Sequence, residues 1–203
     1  VNALLATELL TSEENATTMF SRIYYHQIHA IAYMLKGQNE ASQKKYGAVL
    51  SLWEAAPHLI QEFPSRYRRI LNNYLGICSQ TGDYQVFEQL LAKVRSSPAT
   101  QPVDKAEIFS IGHIAELLSR MGTYDWIGVE AMIPSLKAGL VAYGPLLRQS
   151  TVLVFQYHIA VFYFLSEDYA SCRKWLREIT EAPRTEQRMD IQRMAKVLNL
   201  LLI

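Results

Sequence analysis

Apolar residues recur along this chain at steps of three and four, and prolines separate the stretches that carry the rhythm. Such spacing puts the apolar side chains on one face of a helix. The breaks fall mostly at Pro57, Pro64, Pro98, Pro102, Pro145 and Pro183, and strand-type alternation is hard to find anywhere. The pattern predicts helices over 13–36, 39–55, 65–80, 84–96, 104–121, 124–142, 147–165, 168–180 and 185–203. Two start signals stand out. Thr11-Ser12-Glu13-Glu14 and Asp104-Lys105-Ala106-Glu107 each offer a capping residue followed three positions later by Glu. Pro134 falls inside the predicted 124–142 helix, where a missing backbone donor is expected to bend or split it. The expected fold class is all-α.

The breaks repeat. "LKGQNEASQKKY", "QTGDYQVFEQLL", "RMGTYDWIGVEA" and "LSEDYASCRKWL" align with Gly37, Gly82, Gly122 and Glu167 at one position, in steps of 45, 40 and 45 residues. Tyr84, Tyr124 and Tyr169 follow two residues later. A glycine there ends the first helix in a left-handed conformation that other residues adopt at a cost. Asp83 and Asp168 then cap the second helix by accepting its free amides. Ala30, Ala115 and Ala160 share a column suited to close helix approach, with Leu75 as the exception, and Tyr33, Leu118 and Tyr163 fill the turn before the break. The chain reads as helical hairpins with a period of about 40–45 residues.

"NYLGICSQTGDYQVFEQLL" and "YHIAVFYFLSEDYASCRKWL" resemble tetratricopeptide repeats in their first-helix apolar residues, their corner and the spacing that follows. The resemblance covers about 24–180, with 185–203 resembling the first helix of a further unit. It implies one TPR-like domain over 1–203, a right-handed solenoid of antiparallel hairpins with units at about 13–57, 65–97, 104–142, 147–181 and a half unit at 185–203. The steps exceed the standard repeat of about 34 residues, and its closing proline is approximated only by Pro57 and Pro98. The final "RMDIQRMAKVLNLLLI" also resembles the tails of bacterial helical-repeat proteins of unassigned function.

Charge and composition narrow the function. Half the chain is hydrophobic, enough for a sizeable core. With 20 basic and 19 acidic residues it lacks the basic stripe of a nucleic-acid binder. The densest basic run, Arg66-Tyr67-Arg68-Arg69, reads as a solvated helix start. Cys78 and Cys172 lie in apolar helical patterns and read as buried reduced thiols. No apolar run reaches the roughly 18 residues of a membrane span and no signal peptide is visible, so a cytoplasmic location without a membrane partner is expected. The chain opens on Val1 and closes inside an apolar helix, which points to a fragment of a longer protein, and that last helix offers a surface for a homodimer.

Candidate chemistry is sparse. His26 and His29 stand three apart on one helix, but a metal site wants three or four ligands and none lies nearby in sequence. They read as packed, neutral histidines bonded to a neighbouring helix or solvent. Ser110 and His113 lack a strained elbow and an oxyanion hole. No catalytic, cofactor or metal residue is assigned. In tetratricopeptide arrays the first helices line the concave face. The resemblance therefore implies peptide binding at Gln27, Arg69, Asn72, Asn73, Ser79, His113, Glu116, Arg120, Tyr157 and His158. The carboxylate clamp of chaperone-binding members is half absent, because Gln27 and Ile31 stand at its first-unit positions. The expected function is a non-enzymatic interaction or scaffold module that holds a peptide or helix. The alternative is a peptide-sensing regulatory domain acting on a DNA-binding or catalytic partner domain.

Overall fold

The structure is a computed structural model that describes residues 5–182 and 188–202. The described residues form helices and turns with no strand. They fall into two compact units, Val1–Thr100 and Gln101–Ile203.

In the first unit a single helical turn, Glu8–Thr11, and a 3-10 turn, Glu13–Asn15, precede α1 (Met19–Leu35). There follow α2 (Asn39–Glu54), a short α3 (Pro57–Glu62), α4 (Pro64–Thr81) and α5 (Tyr84–Arg95). α1 starts six residues later than the 13–36 prediction, because Thr18 and Ser21 form the capping box and Ser12 caps only the 3-10 turn. The short α3 was not expected from the pattern. Pro57 and Pro64 explain it, each standing in the first turn of its helix, where the missing amide costs nothing.

The second unit holds α6 (Pro102–Gly122), α7 (Trp126–Tyr143), a 3-10 turn Gly144–Leu146, α8 (Gln149–Leu165), α9 (Tyr169–Glu181) and α10 (Met189–Leu200). α6 begins at Pro102, and the Asp104 carboxylate accepts the Gln101 amide at 3.0 Å, so Asp104 stands inside the helix instead of capping it. Residues 185–187 of the predicted last helix lie outside the described residues, as does Pro183. α7 runs unbroken through Pro134. That proline is exposed, so the carbonyl it leaves without a donor, on Glu130, also lies on the exposed side.

Each hairpin turns on the same backbone device. Gly37, Gly82, Tyr124 and Glu167 take φ of 71°, 72°, 59° and 59°, and they are spaced 45, 42 and 43 residues apart. At three corners the next amide reaches back to close the helix end: Gln38 to the Tyr33 carbonyl at 2.9 Å, Asp83 to Cys78 at 3.1 Å and Asp125 to Arg120 at 2.9 Å. The residue after the left-handed one is the N-cap of the next helix. Asp83, Asp125 and Asp168 accept the amides of Val86, Gly128 and Ser171 at 3.2, 2.9 and 3.0 Å.

The third corner corrects the expected register by two residues. Gly122 stays helical and Tyr124 takes the left-handed position. Trp126, not Tyr124, is therefore the partner of Tyr84 and Tyr169. The buried column becomes Ala30, Leu75, Leu117 and Ala160, while Ala115 is only partly buried and Leu118 is exposed. The same shift brings His113 to the position of His26 and Glu116 to that of His29.

Apolar faces fill both units. In the first, Ile23, Tyr46, Val49, Trp53, Leu71 and Leu75 are buried with Phe87, Leu90 and Leu91. In the second, Phe109, Leu136, Phe155 and Ile159 pack α6, α7 and α8 together, and Cys172, Leu176, Ile191 and Ala195 pack α9 and α10 onto α8. Cys78 and Cys172 are buried free thiols, and burial pushes Cys78 up to about 12. α6 and α7 meet tightly where the Phe109 ring lies against Gly139, and a β-carbon there would overlap it. Met194, Val197 and Leu200 of α10, and Leu201 just after it, are half or more exposed. No described helix is long and apolar enough to cross a membrane.

Two substitutions test this account by thermal unfolding. Glu167 is exposed in a left-handed corner and its side chain has no polar partner among the described residues. Glu167→Gly should therefore stabilise by about 0.5–1 kcal/mol and raise Tm by about 1–4 °C. Gly139→Ala should destabilise by about 1–3 kcal/mol, because the Phe109 ring cannot retreat within a filled core.

Candidate functional site

The residues expected to bind a peptide lie on the first helix of each hairpin, α1, α4, α6 and α8, and are divided between the two units. In the first unit two of them converge. Gln27 of α1 and Arg69 of α4 line a pocket of about 240 Å³ with Phe20, Ile23, Tyr24, Trp53, Arg66 and Ile70. Asn72 and Ser79 continue the exposed stripe of α4 beyond Arg69. Asn73 turns toward α2, where it hydrogen-bonds the buried Tyr46 side chain.

The pocket has an apolar wall and a cationic rim. Trp53 is 2 % exposed, with Phe20 edge-on at 6.4 Å between ring centroids and Tyr67 at 6.1 Å. Its indole Nε1–H is buried without a hydrogen-bond acceptor among the described residues. Leaving a buried donor unpaired costs about 1–3 kcal/mol. Arg66 stacks over the Phe63 ring at 5.1 Å, and neither it nor Arg69 has an acidic partner among the described residues.

Helical phase divides the Arg66–Arg69 run, which corrects the reading of it as a solvated start. Tyr67 and Arg68 turn inward and are 5 % and 0 % exposed, and Arg68 donates to the Pro98 carbonyl at 2.7 Å. Arg66 and Arg69 turn outward. Trp53 and Arg66 were missed from sequence. Trp53 belongs to a second helix, outside the face that was projected, and a run of like charges does not show which members face inward.

His26 and His29 secure the chain before α1. His26 is buried, with Nε2 3.1 Å from the Glu13 carboxylate and Nδ1 3.5 Å from Lys45 Nζ. His29 Nε2 donates to the Leu10 carbonyl at 3.0 Å. Glu13 also receives Arg22 at 3.0 Å, and that bond first, His26's after it, holds its carboxyl below the ordinary carboxylate value. Among the described residues no three His, Cys, Asp or Glu side chains gather where they could hold a metal.

In the second unit the expected site residues are engaged within the fold. Arg120 is held by Glu116 at 2.9 Å and by Asp125, which ties the end of α6 to the start of α7. His113 donates to the Phe109 carbonyl at 3.0 Å and packs on that ring. Tyr157 lies against the α9–α10 cluster. His158 donates to the Val154 carbonyl at 2.7 Å, and burial pushes its pKa below the ordinary histidine value. A separate groove of about 450 Å³ lies among α7, α8 and α9, between Leu140, Val152 and Trp175. There the Gln156 amide donates to Glu178 at 3.1 Å while its Oε1 is buried without a donor among the described residues.

The division of the arginine run gives a direct contrast. Arg68→Ala removes a buried cation and leaves the Pro98 carbonyl without that donor, so it should cost roughly 3 kcal/mol in urea unfolding. Arg69→Ala should stay within about 0.5 kcal/mol of wild type. Equal losses would sink the division. No family model, curated protein or solved structure matches this chain.

Proposed function

We propose that this protein is a non-enzymatic interaction module, a right-handed array of tetratricopeptide-like hairpins that holds a peptide or helix along the open faces of its first helices. One observation carries the reading: Gln27 and Arg69, on the first helices of successive hairpins, line the same pocket in the first unit. Support for the repeat comes from the recurring corner, with its left-handed residue and the Asp caps that follow it at three of the four turns.

The stripe offers what an extended peptide needs. Over the ten residues from Arg69 to Ser79 a helix advances ~15 Å, enough to run beside four or five extended residues. Asn72 and Ser79 supply donors and acceptors for a backbone, while Tyr24 and the pocket wall supply apolar contact. The occupied face lies on the first unit, where the corresponding side chains are the more open.

Selection from a display library of random twelve-residue peptides tests this. Expected binders have Kd on the order of ten micromolar, about 7 kcal/mol, by fluorescence anisotropy. Gln27→Ala with Arg69→Ala should weaken them tenfold or more while far-UV circular dichroism stays unchanged. Peptides that bind equally well to the double variant would place recognition elsewhere and refute the reading.

A further inference from the structure

We infer that the pocket between α1, α2 and α4 is an acceptor site for one acidic side chain, Asp or Glu, from within a bound peptide. This rests on the peptide-binding reading above and names the chemistry of its anchor.

The lining is rich in donors and poor in anions. Arg66 and Arg69 stand three apart on α4, a spacing that brings their side chains over the same patch of surface. Neither has a carboxylate partner among the described residues. Arg66 also lies in the first turn of an eighteen-residue helix. The helix dipole already makes that end positive, so a cation is misplaced there until an anion joins it. Gln27 adds a side-chain amide from α1. Trp53 contributes buried apolar wall, with only 2 % of its surface exposed.

A carboxylate answers the two arginines and the Gln27 amide. Its two oxygens match a guanidinium fork, and charge-assisted bonds of this kind are roughly twice as strong as neutral ones. The aromatic and aliphatic wall from Phe20, Ile23 and Ile70 fits the methylene stem of the side chain. The volume of about 240 Å³ has room for one side chain, not for a folded partner. The source is an internal residue and not a chain terminus, because the exposed stripe through Asn72 and Ser79 carries on past the pocket and gives the peptide somewhere to continue.

The test uses the selected peptides with both ends capped, so that side chains supply their only carboxylates. The expected result is an Asp or Glu at one fixed position, with a tenfold or greater loss when it becomes Asn or Gln. Arg66→Glu with Arg69→Glu should abolish binding of that peptide, and Lys at the acidic position should restore it. Both sites are exposed, so folding should survive, and Arg69→Gln serves as a milder second variant with a partial loss. Of the protein's three indole N–H resonances, only that of Trp53 should move on binding. Peptides that bind this face without needing an acid would overturn the inference and leave the peptide-binding reading standing. A library that yields no binder at all would sink both. Binding that requires a free C-terminus, or a twelve-residue oligothymidylate that displaces the peptide and needs both arginines, would also overturn it.

Discussion

Among the described residues every hairpin depends on a reversal completed within a few residues, and one left-handed residue makes each reversal possible. For an L-amino acid that conformation costs about 1–2 kcal/mol, and only two of the four corners use glycine to avoid it. Tyr124 and Glu167 adopt it because neighbouring bonds determine the turn, from both sides at Tyr124 and from ahead at Glu167. Behind Tyr124, the Asp125 amide closes the end of α6. Ahead of each, an aspartate occupies the first free amides of the next helix. The local strain is thus offset by bonds that would otherwise go unmade. Arg120 reinforces the third corner by bridging Glu116 and Asp125 across it.

The all-helical character was legible because apolar spacing is set by burial, and burial acts over whole helices. Single residues at helix ends were less legible. Gly122 was read as the corner from its residue type, yet glycine is permitted in a left-handed position without being confined to one. The aspartates were the better markers: Asp83, Asp125 and Asp168 each stand directly after the turning residue. Read from them, the third unit falls into register and Leu117 replaces Ala115 in the buried column. The start of α1 shows the same competition between equivalent local signals. Two capping sequences lie seven residues apart, and the later one wins, leaving 13–15 as a tight turn.

The candidate site was half visible. Helical projection put Gln27 and Arg69 on one face, and both line the same pocket, because both lie on first helices whose phase the apolar residues fix. It did not reach Trp53, which enters from α2, nor did it separate Arg68 from its neighbours. A buried arginine satisfied by a backbone carbonyl thirty residues away has no local signature, since its partner, Pro98, is brought near only by the fold. In the second unit the projected polar residues serve the fold itself. A polar side chain on a first helix is available to a ligand only after its own neighbours have made no claim on it.

The segment before α1 bears on where this protein can be shortened. Met19, at a capped helix start, looks like a natural place to begin a trimmed version. Yet Leu10 and Ala16 are buried, and the carbonyl and carboxylate that receive the two imidazoles come from Leu10 and Glu13. Cutting there would wet one flank of α1 and strand a buried ring without its carboxylate. The first unit therefore extends upstream of its first long helix and takes in at least the turn Glu8–Thr11.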